Sequence, residues 1–329
     1  MRSILFVLAL AAVLGGCTGV FFHPGAVHVR TPAQLGLAFE DTVLRSSDGE
    51  TLHAWWLPAA GPPRGTVLFL HGNAENISTH LSAVQWLPGR GFQVLLLDYR
   101  GYGRSTGTPT VAGALRDVDA AMAHLLQRPD VDADRIALLG QSLGGSFAAW
   151  YAARGGHRDR LRAVVIDSAF SSYRAIAREK LDAVWWLGWL SGPAGWTIDD
   201  DFSPVSAIAD IAPRPVLFIA GGRDRIVPAH HSERLFAAAR APKTYWAFPE
   251  AGHIQALHLP EGRDRLVAYL AGVMDVGDAA VGSSRAGRDW KGDVGAVHPT
   301  LERSDRDRTI GARPLPKADH PDSARAAIF

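Results

Sequence analysis

Cysteine is nearly missing from this chain of 329 residues, which has only Cys17. That excludes a disulfide-stapled scaffold and any zinc site built from cysteines. A surplus of charge is missing too, with 34 Lys and Arg against 33 Asp and Glu. A nucleic-acid binder draws on a basic excess to neutralise phosphates, so the balance argues against that class of partner. Beyond the first residues, no apolar run reaches the roughly 20 residues that cross a bilayer as a helix. Charged residues are 20% and hydrophobic ones 47%, which rules out wholesale disorder and fits a packed domain with a full core. No internal repeat divides the chain.

The two ends read differently from the middle. Arg2 precedes a short apolar run, Ile4 to Leu14, with the charge and length of an export signal. Leu14-Gly15-Gly16-Cys17 follows, and this ending resembles the lipobox of bacterial lipoproteins. The resemblance implies that residues 1–16 are removed and Cys17 is acylated, anchoring the protein to a membrane surface. The alternative is an ordinary signal peptide cleaved nearby. By the sorting rule of Gram-negative lipoproteins, Thr18 in place of an aspartate implies the periplasmic side of the outer membrane. Residues 17–39 read as a linker. Residues 275–329 hold nine basic and nine acidic residues but only nine Leu, Ile, Val or Phe, and they read as a disordered tail.

Between these ends, residues 40–274 alternate. Apolar runs of strand length occur at Thr66–Leu70, Gln93–Leu97, Arg135–Leu139, Ala163–Ile166 and Pro215–Ile219. Continuous runs of this kind suit strands buried on both faces of a parallel sheet. Helical patterns separate them at Val111–Gln127, Ser142–Arg154, Ala229–Arg240 and Leu259–Val273. Thr42–Arg45 and Thr51–Trp56 flank Ser47-Asp48-Gly49 and read as an antiparallel hairpin. The pattern predicts an α/β fold, a mostly parallel sheet with helices on both faces. One stretch interrupts it. Residues 171–203 carry Trp185, Trp186, Trp189 and Trp196, with a helix expected over Tyr173–Leu190. It is expected to pack on the core, to form an apolar lid over a pocket, or both.

Gly140-Gln141-Ser142-Leu143-Gly144 lies between a strand and a helix. In that setting G-x-S-x-G is a nucleophile elbow, a turn too tight for side chains at its glycines. A serine is unreactive without a base, and the base needs an orienting acid. The expected chain order is Ser, acid, His. Asp224 follows the Pro215–Ile219 run and His253 follows the strand-like Lys243–Phe248, so both belong at the carboxyl edge of the sheet. Rival bases are His230, His231 and His258, the first two expected to be exposed or on the substrate side. Rival acids are Glu250 and, more seriously, Asp167 at a neighbouring strand end. For the oxyanion, one amide is expected from Leu143 and another from Asn73, in the loop opened by His71-Gly72. Asn76 or Ser78 would cap the helix that follows. Asp98-Tyr99-Arg100-Gly101-Tyr102-Gly103-Arg104-Ser105 reads as a structural turn beside the site.

These motifs resemble those of α/β-hydrolases over about Glu40 to Val273. Asp167-Ser168-Ala169-Phe170 and Phe202-Ser203-Pro204 are similar to the subgroup of serine-aminopeptidase-like hydrolases, which includes membrane-associated depalmitoylases. The expected activity is hydrolysis of a carboxylic ester or thioester through Ser142, Asp224 and His253, with no metal or organic cofactor. A peptidase or amidase using the same triad is the alternative. A non-catalytic envelope lipoprotein on the same scaffold is a third reading, which an intact triad disfavours.

Overall fold

A computed structural model of the chain describes residues 18–183, 189, 191–192 and 198–282. The elements in chain order are β1 (His23–Pro24), β2 (Glu40–Arg45), β3 (Thr51–Leu57), β4 (Gly65–Leu70), β5 (Ala74–Glu75), α1 (Ile77–His80), β6 (Phe92–Asp98), α2 (Val111–Gln127), β7 (Ile136–Gln141), α3 (Leu143–Arg154), β8 (Leu161–Asp167), α4 (Tyr173–Asp182), β9 (Val216–Gly221), α5 (His230–Ala238), β10 (Lys243–Phe248) and α6 (Pro260–Gly282). Eight strands form one sheet in the order β10-β9-β8-β7-β4-β6-β3-β2. The hairpin β2–β3 joins it antiparallel, and every later neighbour pairs parallel.

The continuous apolar runs are buried on both faces, as their composition requires. Along β4, Leu68 and Leu70 face a core completed by Leu115 of α2 and Phe147 of α3. Val67 and Phe69 face the opposite core, closed by Leu266, Leu270 and Met274 of α6. All strand carboxyl ends in the parallel part therefore open on one edge, which carries the loops of interest.

The turn after β6 is tied down by charge. The Arg100 guanidinium donates to Asp117 on α2 and to Asp48 in the hairpin turn, each at 2.7 Å. Burial pushes the Asp117 carboxyl up, and the Arg100 bonds oppose the shift. Arg100→Met would leave the buried Asp117 carboxylate without its main partner. The expected loss is about 3–5 kcal/mol of stability, read by urea denaturation.

Three expectations are changed by the structure. Residues 17–39 are no free linker from Thr18 onward. Phe22 is buried between Tyr102 and Phe147, and β1 pairs with β5. A two-residue strand leaves no periodicity to read. The helix expected over 173–190 ends at Asp182, where Ala183 closes it. Of the insert's tryptophans, Trp189 is exposed, and Trp185, Trp186 and Trp196 lie outside the described residues. Finally, α6 runs on to Gly282, into the segment read as tail. Residues 1–17, with Cys17, and residues 283–329 lie outside the described residues.

Candidate active site

Strand β7 ends at Gln141 and α3 begins at Leu143, so Ser142 alone makes the turn, with φ 54° and ψ −118°. A Cβ on Gly140 would collide with the main chain of Gly144, and one on Gly144 with the main chain of Leu70 and His71. The motif's glycines are therefore a steric requirement of the elbow. Ser142 caps α3 without a side-chain hydrogen bond, which leaves its hydroxyl uncommitted to the helix.

The acid and base meet. His253 Nδ1 donates to Asp224 Oδ2 at 2.7 Å. Asp224 Oδ1 accepts the amides of Ile226 and Val227, both at 2.8 Å, so the carboxylate is held by its own loop while Oδ2 faces the imidazole. With Nδ1 carrying the proton, Nε2 presents a lone pair, the form a general base needs. Among the described residues no hydrogen bond joins Ser142 Oγ to His253. The two loops are neighbours through the end of β8. Ser142 N donates to Asp167 O at 2.9 Å, and Ile254 N, next to His253, donates to Ser168 Oγ at 3.3 Å.

Among the described residues, four non-glycine residues have positive φ: Glu75, Ser142, Ser168 and Ile254. All four belong to the loops just named or to the loop that follows β4 and carries Asn73. Such backbone persists only where surrounding contacts over-determine it, and it concentrates at functional sites.

The rivals fall into other roles. Asp167 is fully buried, accepts Gln141 Nε2 at 2.8 Å and Ser168 Oγ at 3.0 Å, and makes no bond to His253. Burial raises its carboxyl to about 6, against the lowering effect of those bonds. It braces the elbow from beneath. Glu250 pairs with Arg223 on the surface. His258 is exposed and has no carboxylate partner among the described residues. His230 is exposed as expected, but His231 is buried, which corrects the expectation for that residue. Its Nδ1 accepts Ser171 N at 3.2 Å and its Nε2 lies 3.2 Å from Glu179 on α4, so the ring joins the base of the insert to α5. These partners account for its burial.

Ser142, Leu143 and Asn73 line one cleft, whose further wall includes Phe21, Phe170, Ile176 and Val227. The amides of Asn73 and Leu143 have no acceptor among the described residues. His71 Nδ1 donates to Gly72 O at 2.7 Å. In a trans peptide the Asn73 N–H points away from that carbonyl, so the ring sets the aim of the amide. Burial pushes the His71 imidazole down, which keeps it neutral. Asn76 caps α1 by accepting Ser78 N. Asp98 Oδ1 accepts Ile77 N at 2.9 Å, and its Oδ2 accepts His28 Nε2 at the same distance. Burial alone would raise the Asp98 carboxyl, but the bonds from His28 and His53 outweigh it and hold it at about 2.

Phe21, Asp98 and His28 carried no signal of these roles in the sequence, because Phe21 and His28 lie in an irregular segment without period and the strand end at Asp98 meets His28 only in the folded chain. For His28 and Asp98 the separation is 70 residues.

A strand–serine–helix elbow, an Asp–His pair at the next strand ends and a paired-amide cleft on one edge of a mostly parallel sheet define a hydrolase of the α/β class. The comparisons place the chain. The family model described as serine aminopeptidase, S33, matches residues 61–200. The protein YfhR of Escherichia coli K12 is 35% identical over 72% of this chain and 82% of its own length. The α/β hydrolase domain-containing protein WAV2 of Arabidopsis thaliana is 37% identical over 68% of this chain and 75% of its own. The chain belongs to the α/β-hydrolase family. Among solved structures, the Pyrococcus furiosus esterase Pf2001 superposes with a TM-score of 0.63 at 19% identity, covering 78% of this chain and 97% of that one. At that identity the likeness is one of fold.

Proposed function

We propose that this hydrolase is a serine esterase or thioesterase that removes acyl groups through Ser142, His253 and Asp224. The observation that carries the reading is the 2.7 Å His253–Asp224 bond, with the lone-pair nitrogen left for the elbow serine. His253 Nε2 takes the Ser142 proton as Oγ attacks the acyl carbonyl, and the oxyanion is received by the amides of Asn73 and Leu143. Collapse of the tetrahedral species breaks the ester or thioester bond, and His253 returns the proton to the leaving oxygen or sulfur. Water then repeats the sequence on the acyl-enzyme. No step calls for a metal or organic cofactor.

The cleft favours an acyl chain over a polar side chain, since Phe21, Phe170, Ile176 and Val227 offer it dispersion and burial. Lipidation of Cys17 belongs to the same proposal. Cys17 precedes Phe21 by four residues, which span at most about 14 Å when extended. An acylated Cys17 would therefore hold the cleft near a membrane surface, on the periplasmic side of the outer membrane by the sorting rule. The description of the matching family model favours a second reading, a peptidase on the same triad.

A p-nitrophenyl ester series from acetyl to palmitoyl, beside amino-acid p-nitroanilides, separates the two. Protein lacking residues 1–17 is expected to hydrolyse the esters, with one chain-length optimum, and to leave the anilides intact. Turnover of anilides alone would move the assignment to a peptidase.

A further inference from the structure

Residues 21–29 run along the rim of the site and are bound to it at almost every step. His23 N donates to Asn73 O at 2.9 Å, where Tyr102 Oη also donates at 2.7 Å. Gly25 N donates to Glu75 O at 2.8 Å. Asn76 Nδ2 returns two bonds, to Gly25 O at 2.9 Å and Val27 O at 2.8 Å. Val29 N donates to Ser78 Oγ at 3.0 Å. His28 closes the strap on Asp98, whose other oxygen holds the first amide of α1.

We propose that this amino-terminal strap is a working part of the active site: it positions the Asn73 amide in the oxyanion hole and supplies, through Phe21, one wall of the acyl cleft. The proposal rests on the serine-hydrolase reading above.

Two peptide planes meet at Asn73. His71 holds the first plane by the Gly72 carbonyl, and the strap holds the second by the Asn73 carbonyl. With both held, the Asn73 Cα and its amide have no soft dihedral left. The next residue but one, Glu75, sits at φ 61° without being glycine. A loop in that state relaxes unless its neighbours oppose it, and the bonds from Gly25 and Asn76 are the ones that do. An oxyanion hole works because its donors are aimed before the charge develops. A strap that removes the loop's freedom acts on the transition state, with little effect on the bound ester.

Phe21 has the second task. It lines the cleft beside Ser142 and rests on Phe170 and Tyr173, with ring centroids 6.0 and 5.2 Å away. Phe170 directly precedes the insert, and Tyr173 begins its helix α4. The strap thus joins the acyl wall to the oxyanion loop.

The test compares wild type with His23→Pro, which deletes the amide donor to Asn73, His28→Leu, which frees the strap from Asp98, His28→Gln, which restores a donor near the Nε2 position, and Phe21→Ala. Each is assayed on a p-nitrophenyl ester and on its thiono analogue. Sulfur accepts hydrogen bonds poorly, so the ester-to-thionoester rate ratio reports the oxyanion hole and not general loosening. His23→Pro and His28→Leu are expected to lower kcat on the ester by about tenfold or more and to lower the rate ratio with it, at nearly constant KM. His28→Gln is expected to recover most of the loss. Phe21→Ala is expected to keep the rate ratio and move the optimum toward longer acyl chains.

Wild-type kcat and rate ratio in folded His28→Leu and His23→Pro would overturn the positioning role and leave the strap a tether. If His23→Pro does not fold, the His28 pair decides. An unchanged chain-length profile in Phe21→Ala would overturn the wall. A wild-type protein that neither turns over esters nor reacts with a fluorophosphonate would instead defeat the hydrolase reading, and the strap's catalytic role with it.

Discussion

Ser142→Ala is expected to lower kcat on an activated ester by about a millionfold, to the level of the background set by the remaining site. The hydroxyl is the atom that forms the acyl-enzyme, and no neighbouring group can take its place. Gln141 is committed to Asp167, and Leu143 offers only its amide. The substitution is also mild for the fold. The side chain of Ser142 makes no capping bond to α3, so the melting temperature is expected to stay near that of wild type. Loss of turnover with retained stability is the pattern of a reacting group. A large fall in stability with partial turnover would mean that Ser142 is there for the turn.

Asp224→Asn is the second large effect, a fall in kcat of about 10⁴-fold. The carboxylate accepts three bonds: two from its own loop, at Ile226 and Val227, and one from His253. An amide fits the same space, but if its oxygen keeps the loop amides, its NH₂ group faces Nδ1. The imidazole then accepts at Nδ1 and carries its proton on Nε2, the nitrogen that must take the serine proton. Catalysis fails through the wrong tautomer, with the geometry preserved. The check is kinetic and structural together. kcat falls, KM changes little, and the near-ultraviolet circular dichroism is retained. A loss of less than tenfold would return Asp167 to consideration as the orienting acid. Its carboxyl, raised to about 6 by burial, lies behind the elbow.

The sequence disclosed those parts of the fold that repeat. Runs such as Val94–Leu97 are apolar at every position because both faces of β6 are covered, and the structure extends that strand to Phe92–Asp98. The elbow was legible because a tight turn demands glycine in a fixed pattern around Ser142. Asp224 and His253 were legible because each follows a strand run in the order the chemistry needs. What escaped was held by single long-range contacts. Phe21 and Phe22 sit in a segment without period, and only the folded chain brings them against Phe170 and Phe147. The choice between Asp167 and Asp224 was open in the sequence, since both follow strands. In the structure the His253 ring is bonded to Asp224, which supports the proposed role of that carboxylate. The sequence suggested that His231 is exposed or on the substrate side, because its partners, Ser171 and Glu179, lie 60 and 52 residues away.

The central claim is an activated serine at the elbow, and covalent trapping tests it most directly. Protein treated with a fluorophosphonate is digested and the modified peptide identified by mass spectrometry. The account predicts a single adduct on Ser142, formed in wild type and absent from Ser142→Ala and from protein denatured beforehand. No adduct on folded wild-type protein, or an adduct on another residue, would contradict it.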